Sequence, residues 1–189
     1  MKSKLITLTA CLTLFLGFSQ ENDSNSANNA TVYFVRASGL GALINFTYFD
    51  GEEPIGKFNG PKYLKYECSP GEHLFWAKSE NKSFVEANLK SGGIYIIDVV
   101  PQMGGLKAGV KLVPVDKNNY KLKKIQKLLS KRESETFDET QRTKIKSGET
   151  VAKGMERYSK LKEKNSEKIG ILSEDMTVNK EDLIFIKKK

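Results

Sequence analysis

Residues 62–78 read KYLKYECSPGEHLFWAK, and this stretch decides the fold because two strand-like runs flank one turn. Pro70-Gly71 predicts that turn, since Pro fixes its own φ and Gly tolerates positive φ. His73–Lys78 follows as the second run, with alternate residues on opposite faces. In the first run the residues that share one face are Leu64, Tyr66 and Cys68.

The same pattern continues on both sides of this stretch. Asp50-Gly51 and Asn59-Gly60 are strong hairpin signals between short β-forming runs. Such evenly spaced strands predict a mainly β fold, an antiparallel Ig-like or transthyretin-like β-sandwich. The predicted strands are Thr31–Arg36, Leu43–Phe49, Glu53–Phe58, Lys62–Cys68, His73–Lys78, Ser83–Leu89, Ile94–Val100 and Lys107–Val115.

A set of features occurs in one order along this region: Val32–Arg36, Asp50-Gly51, Gly56, Pro70–His73, Ala77 and Gly92–Tyr95. Their order resembles the bacterial exported domain-of-unknown-function family 2846, over about residues 30–115. The resemblance implies a β-sandwich module in an exported setting. It implies no catalytic residues, and it leaves the C-terminal third of the chain unmatched.

The N-terminus predicts a signal peptide over residues 1–19. The run Leu5–Phe18 is apolar apart from threonines, and Gly17 and Ser19 place small residues before a cut at Gln20. Residues 20–30 are polar and without periodicity, which predicts a flexible lead-in. We therefore expect an exported protein, either periplasmic or extracellular.

A second interpretation of the N-terminus stays open. Leu8–Cys11 resembles a lipobox, and a lipid on Cys11 would make the chain a lipoprotein anchored in the envelope. However, the apolar residues 12–18 would then stand where a polar tether is usual. Ordinary export is therefore favoured over lipid anchoring.

Cys68 and His73 are the only residues from which a catalytic pair could be built. The chain has one histidine, and its other cysteine, Cys11, lies in the predicted signal peptide. A Cys–His pair also needs an orienting group and an oxyanion site, and no convincing acidic partner or second histidine is found nearby. His73 shares a face with Phe75 and Ala77, which predicts a half-buried structural residue. We expect a protein that is not an enzyme, with a hydrolase as the remote alternative.

Metal and cofactor sites are not expected either. One histidine and one cysteine fall short of a zinc site, and Asp50–Glu53 lacks the ligand alternation of a calcium loop. Trp76 and Tyr63 fall on faces that point away from the predicted core. They could form an exposed aromatic platform for a sugar or peptide, or they could be covered by C-terminal helices. Covering is favoured, because exposed aromatic patches are uncommon on monomers.

Charge divides the chain near Asp116. Residues 20–116 hold 9 Lys and Arg against 11 Asp and Glu, whereas residues 117–189 hold 20 against 12. This asymmetry predicts a β-sandwich domain at 31–116 and a basic helical extension at 117–189. We expect residues 20–116 to fold, at least marginally, without the rest of the chain.

Two helices are predicted in the basic extension. Asp116 is the expected N-cap of the first, which runs to about Lys131. Thr136–Glu139 has the pattern of a capping box for the second helix. Gly148 and Gly154 interrupt its apolar stripe and count as weak points.

The basic extension suggests a partner of opposite charge. Export argues against nucleic acid, so an anionic envelope component or an acidic protein is expected, with membrane association peripheral at most. A merely solvated helical face is the competing interpretation. The sequence thus predicts an exported, non-enzymatic module that binds in, or gives structure to, the bacterial envelope.

Overall fold

The computed structural model of the chain describes residues 28–104, 107–146 and 148–186. The predicted mainly β fold is confirmed. The predicted signal peptide and Cys11 lie outside the described residues. The strands are β1 (Ala30–Arg36), β2 (Phe46–Asp50), β3 (Glu53–Phe58), β4 (Lys62–Cys68), β5 (Gly71–Lys78), β6 (Lys82–Leu89), β7 (Ile94–Gly104), β8 (Lys107–Pro114) and β9 (Ile169–Leu172); the helices are α1 (Lys123–Leu129), α2 (Glu139–Lys146), α3 (Glu149–Lys162) and a short 3-10 helix, Lys180–Leu183.

The strands form two sheets that share one core. The first sheet has the order β4-β1-β7-β8 and the second the order β3-β2-β5-β6-β9. Phe34 of the first sheet meets Phe75 of the second edge-on, with 5.4 Å between the ring centroids. The prediction of an antiparallel fold is only partly correct, because β1 pairs with β7, and β6 with β9, in parallel. Parallel partners need long connections, which the intervening strands and helices supply here.

Two of the three predicted turns join different sheets. Asp50-Gly51 does connect an antiparallel pair, β2 and β3, and Gly51 has a φ of 55°. Asn59-Gly60 and Pro70-Gly71 instead carry the chain from one sheet to the other, so the hairpin expected there is wrong. Gly60 and Gly71 still adopt the positive φ that a turn requires, 66° and 114°. The sequence thus predicts both turns, but it does not predict that the strands on either side of each turn belong to different sheets.

Arg36 explains why β2 begins at Phe46 rather than at Leu43. The Arg36 side chain is fully buried, and its guanidinium lies 4.1 Å from the centroid of the Phe46 ring. A buried charge is costly unless it is hydrogen-bonded. The guanidinium therefore holds the following loop as a turn, which delays the strand. It donates hydrogen bonds to the carbonyl oxygens of Leu40 (3.1 Å), Gly41 (2.6 Å) and Ile44 (2.7 Å).

The first predicted helix begins later than expected. Asp116 is not an N-cap: its carboxylate accepts hydrogen bonds from the backbone N–H of Asn118 (2.9 Å) and the side-chain amide of Asn119 (2.8 Å). These bonds stabilise a turn, and α1 starts only at Lys123. Ile125 of α1 is 1% exposed and packs on the outer face of the first sheet.

The second predicted helix is divided into α2 and α3. Gly148 is extended, with φ −90° and ψ 164°, and occupies the N-cap position of α3. The segment after α3 lies within the predicted basic helical extension, yet it contains β9, which pairs with β6. Leu172 of β9 is fully buried in the core that the two sheets share. Residues after 116 thus supply part of the core as well as the helices.

Trp76 is covered by α3, which confirms for this residue the prediction that C-terminal helices cover the aromatic side chains. Trp76 is fully buried, and its indole stacks on Phe49 with 3.8 Å between the ring centroids. A Cβ atom at Gly154 would lie 2.4 Å from the indole, so only glycine allows α3 to approach this closely. Tyr63 is partly buried against Tyr33 and the residues under α1.

We predict that Gly154→Ala destabilises the protein by about 1–3 kcal/mol, because the added methyl group collides with Trp76. Helix propensity alone predicts the opposite sign, a gain of about 1 kcal/mol. Ala152→Gly, at an exposed position of the same helix, is the matched control and should cost about 1 kcal/mol. Urea unfolding of the three proteins measures both effects. A Gly154→Ala protein more stable than the wild type would contradict the packing of α3 on Trp76.

Candidate functional site

His73 lies in a hydrogen-bonded cluster where β2 and β5 meet. Its Nδ1 is 2.8 Å from Oδ2 of Asp50, and its Nε2 is 2.9 Å from the carbonyl oxygen of Ser69. The hydroxyl of Tyr66 donates to the same Asp50 oxygen at 3.1 Å. The imidazole stacks on Phe75, with 5.3 Å between the ring centroids. The predicted half-buried histidine beside Phe75 is confirmed.

The surroundings of His73 favour its charged form. A carboxylate and a carbonyl oxygen both accept hydrogen bonds, so each ring nitrogen must carry a proton to satisfy them. The hydrogen bond to Asp50, with smaller contributions from Cys68 and the Ser69 carbonyl, raises the pKa of His73 to about 10. Burial and the adjacent Asp50 raise the pKa of Tyr66 as well. At neutral pH the imidazolium has no free lone pair with which to act as a base.

Asp50 is the acidic partner of His73, and the sequence analysis did not predict it. It stands 23 positions from His73, and only the pairing of β2 with β5 brings the two together. Cys68 ends β4, is 8% exposed and lies close enough to His73, across the Pro70-Gly71 turn, to contribute to its raised pKa. The chain therefore assembles a cysteine, a histidine and an aspartate. The charges and hydrogen bonds of this cluster are those of a structural ion pair.

Residues 121–132, which we call the basic segment, differ from the His73 cluster, whose polar groups are hydrogen-bonded within the protein. They contain six cationic side chains and no acidic one, and all six are exposed. No ion pair involves any of the six within the part of the chain that the structure describes. The cationic residues are Lys121, Lys123, Lys124, Lys127, Lys131 and Arg132.

Most cationic residues of α2 and α3 are paired instead. Five of them contact a glutamate, either one turn away on the same helix or on the sheet below. Lys162, for example, lies 2.5 Å from Oε1 of Glu86 on β6. The other pairs are Arg142–Glu139, Lys146–Glu53, Lys153–Glu149 and Lys160–Glu156. Within the described residues of the C-terminal region, the densest run of cations without an ion pair is therefore the basic segment.

An acid-lined groove of about 730 Å³ runs between β5, β6 and the chain after β9. Its polar groups find partners within the protein. Tyr158 donates to Glu86 at 2.8 Å, and the side-chain amide of Asn88 donates to Glu174 at 2.8 Å. This internal pairing offers a ligand few unsatisfied groups.

Other site classes have no support in residues 28–104, 107–146 and 148–186. No group of three or more His, Cys, Asp or Glu residues there is placed to hold a metal ion. None of the helices in these ranges is long and apolar enough to cross a membrane. Comparison with known proteins gives no match to a protein family, a curated protein or a solved structure.

The raised pKa of His73 predicts a pH-dependent contribution to stability. The stabilisation is fully present below the unfolded value of 6.5 and is lost as pH rises through the folded value of about 10. We expect His73→Gln to lower the free energy of unfolding by about 2–4 kcal/mol at pH 6 and by clearly less at pH 10.5. Urea titrations of the wild type and the variant at the two pH values measure this difference. Groups that titrate alike in both proteins do not contribute to it. Asp50→Asn should reproduce it, and a pH-independent difference would show that His73 is not held as an imidazolium.

Proposed function

We propose that the protein is an exported, non-enzymatic module that binds an anionic component of the bacterial envelope through the basic segment. The observation that carries this proposal is the run of six exposed cations at 121–132, which no acidic residue interrupts and which no ion pair involves among the described residues. Polyanions attract such a surface through the summed field and need no pocket. Export is supported by the signal-like start and by the resemblance of residues 30–115 to an exported family.

The charges in the first turn of α1 do not serve the stability of the helix. Acidic residues stabilise the first turn of a helix and basic residues the last, an order that α2 and α3 follow. In α1 the first turn holds Lys123 and Lys124, without an acidic residue or a side-chain cap. Neighbouring like charges also repel each other. A bound anion would relieve both costs.

The basic segment is held firmly on the protein. Ile125 anchors α1 to the first sheet, and the side-chain amide of Gln126 donates to the carbonyl oxygen of Asp182 at 2.9 Å. The cations thus project from a fixed helix rather than from a loose tail. This placement favours binding over simple solvation of a helical face.

An Ig-like or transthyretin-like β-sandwich remains our proposal for the finer fold class, supported by two sheets around one core. A lipoprotein of the same fold is the alternative form of the protein. The pattern Leu8–Cys11 favours it, and an acyl-modified N-terminus at Cys11 in the intact mass would establish it. The absence of enzymatic activity is supported by the protonated state that the contacts of His73 favour.

Charge reversal tests the role of the basic segment. We expect Lys123→Glu combined with Lys127→Glu to weaken retention on an immobilised anionic polysaccharide at least tenfold. The matched control is Lys153→Glu combined with Lys160→Glu, which changes the net charge equally at two paired positions of α3. Wild-type binding should fade between 0.1 and 1 M salt, where the screening length falls from about 10 Å to about 3 Å. Equal losses in both double variants would assign binding to net charge and not to the basic segment.

A further inference from the structure

Two leucines project from the loop between β1 and β2. Leu43 is 90% exposed and Leu40 is 48% exposed, and both belong to the turn that Arg36 holds. We propose that this loop, residues 37–45, inserts its leucines into the surface of an anionic lipid bilayer. The inference names one anionic component and rests on the proposed function only for the charge that brings the protein to the bilayer.

The exposure of the leucines is built into the fold. The fully buried guanidinium of Arg36 fixes the loop through three backbone carbonyls. Gly41 adopts a φ of 60°, and Ile44 packs inward against the shared core. Burying a charged side chain to order a loop is costly. Of the loop residues, Ile44 is the one that packs against the shared core. Single exposed leucines are common, but two on one fixed turn form a defined apolar projection.

The surface next to the loop is positively charged. A hollow of about 590 Å³ begins at Asn45 and is lined by Lys57 and Lys144, with no acidic residue in its lining. In a bilayer-bound protein, anionic headgroups beside the C-terminal end of the loop would meet these lysines. Apolar side chains and nearby cations together are the combination that holds proteins on anionic bilayers.

A bilayer suits this projection better than a protein partner does. A stable protein interface buries about 800 Å² on each side, far more than two leucine side chains can supply. Two side chains at a turn can, in contrast, enter the headgroup region without a matching cavity. The binding is expected to be weak and reversible, because a small apolar contact needs electrostatic support.

Position-specific fluorescence tests insertion. Leu43→Trp is compared with Ile171→Trp, whose position is 57% exposed on β9 and is separated from β2 by two strands. Both proteins are mixed with phosphatidylglycerol vesicles that carry brominated acyl chains. Trp76 gives a constant background, since it is fully buried beneath α3. We expect a blue shift and strong quenching for Leu43→Trp and neither for Ile171→Trp. No quenching at position 43, or equal quenching at both positions, would overturn the proposal.

A second comparison separates the loop from the basic segment. Leu43→Ser should lower the partition onto these vesicles about tenfold, which corresponds to about 1.4 kcal/mol. It should leave retention on the anionic polysaccharide unchanged, whereas Lys123→Glu with Lys127→Glu lowers both. If polysaccharide retention behaves as proposed but Leu43→Ser binds vesicles like the wild type, the loop proposal fails alone. If Lys123→Glu with Lys127→Glu binds both the vesicles and the polysaccharide like the wild type, the proposed function fails. If Leu43→Ser still loses vesicle binding in that case, the loop proposal stands.

Discussion

The indole of Trp76 lies between the ring of Phe49 and the backbone of α3 at Gly154. Its Nε1–H donates to the carbonyl oxygen of Gly51 at 2.7 Å, so its polar atom is satisfied inside the protein. Because nothing larger than glycine fits against the indole, this contact fixes where α3 lies. The chain then continues from α3 into β9, at the edge of the same sheet. The C-terminal region is therefore part of the folded core, and residues 20–116 lack the groups that cover Trp76.

This docking also separates the cations by role. On α2 and α3, lysines and arginine pair with glutamates of the same helix or of the sheet, and these contacts leave little charge for a ligand. In the basic segment, an apolar side with Ile125 of α1 faces the first sheet, and the six cations, which form no ion pair within the described residues, are exposed to solvent. Cations in α2 and α3 are thus mostly paired with glutamates, whereas those of the basic segment form no ion pair among the described residues. We infer that function lies in the basic segment.

Local patterns predicted β1 to β8, since alternation and turn residues are properties of neighbouring positions, but they missed β9. They did not predict which sheet a strand joins, because Pro70-Gly71 satisfies the same φ requirements in a hairpin and in a crossover. The partner of His73 was missed because Asp50 approaches it only through strand pairing. Sequence alone predicts Gly154 to be a weak point of the helix. The packing that requires glycine there involves Trp76, which lies on β5 and is distant in sequence. The cations of residues 121–132 are visible in the sequence, but only the structure shows that none of them forms an ion pair with a described residue.

Lysine reactivity tests the central claim most directly. Acetylation of each lysine is measured by mass spectrometry, with and without a saturating anionic polysaccharide. The account predicts that Lys123, Lys124 and Lys127 become protected, while Lys153 and Lys160 keep the reactivity they have in the free protein. Protection spread evenly over both helices, or confined to α3, would contradict the assignment of binding to the basic segment.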